Sequence, residues 1–179
     1  MSCPNINLLK SYKVYPSKVD FQYQAYKFFI YVYLDPFQEF PTAHTVKAGK
    51  PKTEYCFAFA PIYLGKGTGA GYRHHQHLKA FQSGRENNQE KVKAFKKIQE
   101  GMANAAAISD HTKPWNWVEY KKGYIKVLET FNDPKELLKF EMEMINGLGT
   151  KWDHTGYLSN KIKNAYKFDN LSQGRIDPF

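Results

Sequence analysis

The chain has 179 residues, enough for one domain that buries a core without disulfide or metal staples. Hydrophobic residues make up 42% and aromatic residues 16%, which excludes a wholly disordered chain. Lysine and arginine outnumber acidic residues 26 to 17, and the net charge of +9 suits a polyanionic partner such as nucleic acid as well as it suits plain solubility. No apolar run approaches the ~20 residues of a membrane-spanning helix. The start, MSCPNINLLKSYK, lacks the apolar stretch of a secretion signal. Cys3 and Cys56 form no CxxC pair, so the chain reads as a reduced, intracellular protein of the cytoplasm.

Residues 1–26 are polar with scattered apolar positions and read as an N-terminal extension. Lys27–Asp35 (KFFIYVYLD) is rich in aromatic and β-branched residues and predicts a strand that stops at Asp35-Pro36. Phe37–Thr53 reads as a loop. Glu54–Gly65 predicts a second strand, pairing with the first as a long-looped hairpin. GKGTGAG, from Gly65 to Gly71, reads as a flexible turn, followed by a short helix over Tyr72–Gln82. Asn88–Ile108 predicts a longer helix, with Val92, Phe95, Ile98 and Met102 on one face and Lys93, Lys96 and Lys97 on the other. Residues 109–121 look irregular. Gly123–Phe131 predicts a third strand. Asp133-Pro134 is a helix cap followed by proline in the first turn, and that helix runs to about Asn146, with Gly147 or Gly149 as its stop. The order β-β-α-α-β-α makes the fold α+β: a small three-stranded antiparallel sheet flanked by helices over residues 27–165, with a C-terminal tail over 166–179.

Within the last helix Leu137, Leu138, Met144, Ile145 and Leu148 form an apolar stripe, and Glu141 falls in its middle while Glu143 lies on the polar side. A carboxylate at that position is paired, holds a metal, or reaches out to water at the rim of the stripe. In the short helix, Arg73 and His77 sit one turn apart on one face. A guanidinium holds a phosphate bidentately and a neutral imidazole moves a proton. His74, His75 and His77 do not make a zinc site, because His74 and His75 cannot share a helix face and no CxxC completes the ligand set. Gly65-Lys-Gly67-Thr-Gly-Ala70 fits a dinucleotide-binding glycine pattern, but no βαβ unit follows it. Tyr31 and Tyr63, in the two hairpin strands, can open towards one mouth, or be ordinary strand aromatics like Tyr33 and Tyr55.

Taken in order, these residues resemble the GIY-YIG nuclease family, in the style of its phage homing-type members. Ile30-Tyr31-Val32-Tyr33-Leu34-Asp35 stands at the GIY strand, although Phe29-Ile30 replace Gly-Ile, and Tyr63-Leu64-Gly65 stands at YIG. Arg73 follows Tyr63 by ten residues and His77 follows Arg73 by four, as in the family. Glu141-Met-Glu-Met-Ile145 matches the helical glutamate, and GYLSN supplies the closing asparagine, Asn160. Tyr31 is preferred to Tyr33 because Asp35 lies four residues beyond it.

The resemblance implies phosphodiester hydrolysis in DNA with one Mg²⁺ or Mn²⁺ held mainly by Glu141. Arg73 would clamp the phosphate, Tyr31 would contact the attacking water with His77 close enough to help, and Tyr63 would orient water or phosphate. Asn160 would bond a phosphate oxygen or fix its loop. Lys66, Lys93, Lys96, Lys97, Lys161 and Lys163 would contact the DNA backbone. One site of this kind cuts one strand, so a double-strand break takes a dimer on DNA or two events. The alternative is a basic nucleic-acid-binding protein without catalysis.

Overall fold

A computed structural model describes residues 28–40, 45–68, 73–110, 112–151 and 154–160. The expected extension over 1–26 and the tail over 166–179 lie outside them. The elements are β1 (Phe28–Glu39), β2 (Thr45–Ala48), β3 (Thr53–Cys56), β4 (Phe59–Thr68), α1 (Arg73–Gln82), α2 (Gln89–Ala107), α3 (Trp117–Tyr124), β5 (Ile125–Phe131) and α4 (Pro134–Leu148). The fold is α+β, and its main sheet is three-stranded and antiparallel in the order β4-β1-β5.

β1 is central, and its alternation divides the core in two. Ile30, Val32 and Leu34 face one apolar cluster, built with Leu137, Met144 and Ile145 of α4. Phe29, Tyr31 and Tyr33 face the other, built with Leu78, Phe95, Ile98 and Tyr120. This explains why β1 reads as an unbroken apolar run: helices cover both of its faces. The strand does not stop at Asp35-Pro36 as expected. It continues to Glu39, but its pairing with β4 jumps from Asp35↔Ala60 to Glu39↔Phe59, because Pro36 has no amide to donate to the ladder.

Gly65 and Gly67 are strand residues rather than turn residues. Tyr31 pairs with Gly65 and Phe29 with Gly67 across β1 and β4. A β-carbon at Gly65 would fall inside the Tyr31 phenol, and one at Gly67 inside the Phe29 ring. These glycines provide absence of bulk, so that two rings can lie across the neighbouring strand.

Two further elements depart from expectation. The expected loop over 37–53 contains β2 and leads into β3, a short hairpin whose Val46, Ala48 and Tyr55 pack under α4. Glu143 of α4 ties this hairpin down, accepting from the Gly49 amide at 2.9 Å and pairing with Lys52 at 2.5 Å, so it is not a purely solvated residue. The stretch expected to be irregular contains α3, capped by Asn116, whose side chain accepts from Val118 N at 2.9 Å and Glu119 N at 3.0 Å. The α4 boundaries match the sequence reading. Asp133 accepts from Lys135 N at 2.8 Å, and Gly149, with φ +67°, closes the helix onto Ile145 O. Cys56 is disulfide-bonded, which corrects the reading of it as a reduced thiol. Among the described residues no helix is long and apolar enough to cross a membrane.

Gly65→Ala should destabilise the domain by about 1–3 kcal/mol, the range for overpacking a filled site. Urea unfolding reads this as a lower midpoint at unchanged slope. In a Tyr31→Ala background the same substitution should cost far less. Equal costs in both backgrounds would show that the ring is not what excludes the β-carbon.

Candidate active site

β4 is an edge strand, and the candidate residues gather along it. Its outer edge is sealed by the end of the described chain. Asn160 is buried, accepts from Leu64 N at 3.0 Å and donates to Leu64 O at 2.7 Å, imitating a neighbouring strand. Ser159 adds two bonds to Ile62 O, from its amide and its hydroxyl, both at 2.7 Å. Both polar atoms of the Asn160 amide are therefore engaged by backbone, so of the two roles expected for Asn160 the structure supports fixing the loop. Binding a phosphate through it would require breaking this clamp.

On one face of β4, Lys66 reaches Glu141 of α4, with Nζ 3.2 Å from Oε2. Glu141 is 6% exposed. Burial raises its pKa, and the neighbouring Lys66 and Arg73 charges partly offset that. Glu141 therefore points inward from the stripe, as its spacing indicated. Lys66, expected on the DNA backbone, is instead the counter-charge of this carboxylate.

On the other face stand the tyrosines. The Tyr63 hydroxyl lies 3.0 Å from His77 Nε2, with the two rings edge to face. Tyr31 is fully buried between the rings of Phe29, Tyr33, Tyr63 and His74. Its hydroxyl makes no hydrogen bond of good geometry. The expected partnership of Tyr31 with His77 is thus corrected: the imidazole meets Tyr63. Tyr33 is tied into the core, donating its hydroxyl to the His74 carbonyl. Burial raises Tyr31 and Tyr63, the negative Glu141 raises both further, and Arg73 works in the opposite direction on each.

Arg73 opens α1. No hydrogen bond or ion pair to another described residue holds its guanidinium, and its charge is felt at Tyr31, Tyr63, His77 and Glu141. Tyr31, Tyr63, Arg73, His77 and Glu141 therefore share one locality, drawn from β1, β4, α1 and α4.

The remaining lysines divide. Lys93 pairs with Glu90 at 2.7 Å, and Lys97 with Asp35 at 3.4 Å and Gln38 at 2.9 Å. Asp35 is five residues along β1 from Ile30, the partner of Lys66. That is roughly 17 Å at strand rise, so Lys97 marks the far end of the sheet. Lys96 is exposed. Lys161 and Lys163 lie outside the described residues.

Two residues that the sequence reading did not place at this site complete the locality. Glu86 Oε2 lies 3.3 Å from His77 Nδ1, and Lys91 Nζ lies 3.0 Å from the same nitrogen. Lys91 is 3% exposed, and its ammonium also sits 3.9 Å over the Tyr63 ring. The only sequence signal for Lys91 was its place on the α2 face that also carries Phe95 and Ile98, two steps of helical spacing along. Among the described residues no group of three or more His, Cys, Asp or Glu is arranged around a metal position. A cleft of about 530 Å³ between the β2–β3 hairpin, β5 and α4 is lined by Lys50, Tyr55, Glu129, Phe131 and Lys139, and none of the candidate residues opens into it.

No protein-family model, no curated protein and no solved structure matches this chain.

The imidazoles of His74, His75 and His77 are each pushed down to about 4, by burial first; His75 next for His74, Lys121 and Lys79 for His75, and Lys91 for His77 add to it. The unfolded chain takes up these protons near the ordinary value of 6.5, while the folded chain waits until about 4. Their contribution to stability is therefore complete above the unfolded value and is lost as pH falls through that window. Glu141, raised by burial, works against this trend. Thermal melting between pH 7 and pH 4.5 should show a falling Tm, less steep in His77→Gln. A flat profile would contradict neutral, buried imidazoles.

Proposed function

We propose that the protein is a metal-dependent DNA endonuclease of the GIY-YIG type. The observation that carries this reading is the Tyr63–His77 contact at edge strand β4, with Arg73 and Glu141 within electrostatic reach of Tyr31 and Tyr63. Single motifs such as YLG are weak alone, whereas five chemically matched side chains from four elements in one locality support a common task. The net charge of +9 fits a DNA substrate.

The donor set fits one hard cation. Glu141 is a buried carboxylate whose one ion-pair partner among the described residues is Lys66. Mg²⁺ keeps most of its waters and needs few protein oxygens, so Glu141 would hold it as a single carboxylate, taking the place of the Lys66 ammonium. Bound there, the ion would supply charge stabilisation at the phosphate and the leaving oxygen. Arg73 would clamp a non-bridging phosphate oxygen through its fork of donors. Tyr63 would hold the attacking water and relay its proton to solvent, with His77 fixing the phenol. Tyr31, behind Tyr63, would shape the pocket and exclude water.

Incubation with supercoiled plasmid and Mg²⁺ tests the reading. Nicking should appear, vanish with chelator, and vanish in Glu141→Ala, while Glu143→Ala should nick at nearly the wild-type rate. DNA retention without cutting, weakened by salt, would instead identify a binding protein. Arg73→Ala should slow single-turnover cleavage by about a hundredfold. Its DNA affinity should change only a few-fold, because one phosphate contact is a small part of a multi-lysine footprint. An affinity loss as large as the rate loss would reduce Arg73 to plain charge attraction.

A further inference from the structure

Behind the Tyr63–His77 pair lies a row of charges that the nuclease scheme does not use. Lys91 Nζ sits 3.0 Å from His77 Nδ1, 3.3 Å from Glu86 Oε2 and 3.9 Å from the centre of the Tyr63 ring. An ammonium has three donors and no acceptor, so Lys91 directs one at the imidazole, one at the carboxylate and its remaining positive edge at the aromatic face. The anchoring is rigid. Lys91 lies in the first turn of α2, its amide is bonded to the Asn88 cap at 3.2 Å, and Asn88 in turn donates to Ser159 O at 2.6 Å. Glu86 is held on its other oxygen by the Asn88 amide at 3.0 Å.

Glu86 and Lys91 compete for one nitrogen of His77 and demand opposite tautomers. If Glu86 wins, Nδ1 carries the proton and Nε2 accepts from the Tyr63 hydroxyl, making His77 the base. If Lys91 wins, Nδ1 is a bare acceptor and Nε2–H donates to the Tyr63 oxygen, making the tyrosine the base. The contact from Lys91 is the shorter of the two, 3.0 against 3.3 Å. It also leaves Glu86 paired with the ammonium it already faces.

We infer that Lys91 is a positioning residue that fixes His77 as an Nε2–H donor and thereby makes Tyr63 the proton acceptor of the site. In the step this permits, Tyr63 acts as a relay: as the water oxygen attacks phosphorus, one water proton passes to the phenol oxygen while the phenol's own proton leaves to solvent, so one proton is released in all and the charge that develops on the oxygen is met by the His77 N–H and by the Lys91 ammonium over the ring. His77 stays neutral throughout, and no proton is stored on it. The groups facing this pair are Tyr31 and Tyr33 from β1, Arg73 and His74 from α1, Glu86 from the loop before α2, Lys91 from α2 and Glu141 from α4. Among them Lys91 is the one cation in contact with both ring systems.

The inference rests on the nuclease reading only for its kinetic arm. The first arm needs no activity. Long-range ¹H–¹⁵N spectra of the imidazoles, with His77 assigned from His77→Gln, should show the Nε2–H tautomer in the wild-type protein. In Lys91→Met, which keeps length and removes charge, Glu86 should capture Nδ1–H and the tautomer should flip. Lys91→Arg should keep the wild-type form. A wild-type Nδ1–H tautomer overturns the proposal without any variant having to fold, and so does an unchanged tautomer in folded Lys91→Met. In the second arm, Lys91→Met should slow single-turnover nicking at pH 7 by about tenfold, the effect of a one-unit change in the acceptor's pKa, and Lys91→Arg should restore most of the rate. A deficit that Lys91→Arg leaves in place would make Lys91 merely structural. A wild-type protein that shows the tautomer but never nicks DNA would remove the nuclease reading and leave the His77 assignment standing.

Discussion

The phenol of Tyr31 lies across Gly65, and the geometry around β4 follows from that crossing. Adjacent strands run roughly 4.8 Å apart, so a ring can lie over its cross-strand partner only where the partner has no side chain. The same exchange repeats with Phe29 over Gly67. With two glycines on the α1 side of β4, Tyr63 is the last large side chain on that face before the strand end, and it stands beside Tyr31 and opposite Tyr33. α1 packs down on this aromatic floor through Leu78 and His74, which delivers His77 to Tyr63.

Charge is distributed around this floor in two closed pairs. Glu141 faces Lys66 on one side of the strand, and Glu86 faces Lys91 on the other. Buried ion pairs return little net stability, since desolvation consumes most of their attraction. Polar groups kept at that cost beside Tyr63 and Arg73 are the physical ground for treating this locality as a candidate site.

The sequence made the main sheet and α4 legible because these elements carry strong local signals. β1 and β5 are dense in β-branched and aromatic residues, and α4 has an Asp133-Pro134 start and a Gly149 stop. The β2–β3 hairpin escaped because each strand has four residues and its turn contains Gly49 and Pro51, so that it owes its existence to Val46 and Tyr55 packing on α4 rather than to propensity. α3 escaped because two tryptophans and Gly123 obscure a short helix whose clear mark is the Asn116 cap. In the site, helical spacing put Glu141 at the core side or rim of its stripe, and Arg73 and His77 on one face, while the resemblance singled them out. Lys91 could not, because a lysine in a helix's first turn is ordinarily solvated, and only the tertiary position of Tyr63 and His77 explains its burial. The Asn160 clamp was equally hidden, since its partner Leu64 lies 96 residues earlier.

That separation bears on how the protein comes to be made. During synthesis β4 leaves the ribosome long before Ser159 and Asn160, and at a few to some twenty residues per second the interval lasts several seconds. Throughout it the outer edge of β4 exposes unpaired amides and carbonyls in a strand rich in apolar residues, a template for pairing with a neighbouring nascent chain. The last described residues are thus more than a structural closure. Until they arrive, each growing polypeptide presents a sticky border, and crowded translation of several copies on one message is the circumstance in which that border is most exposed to its own kind.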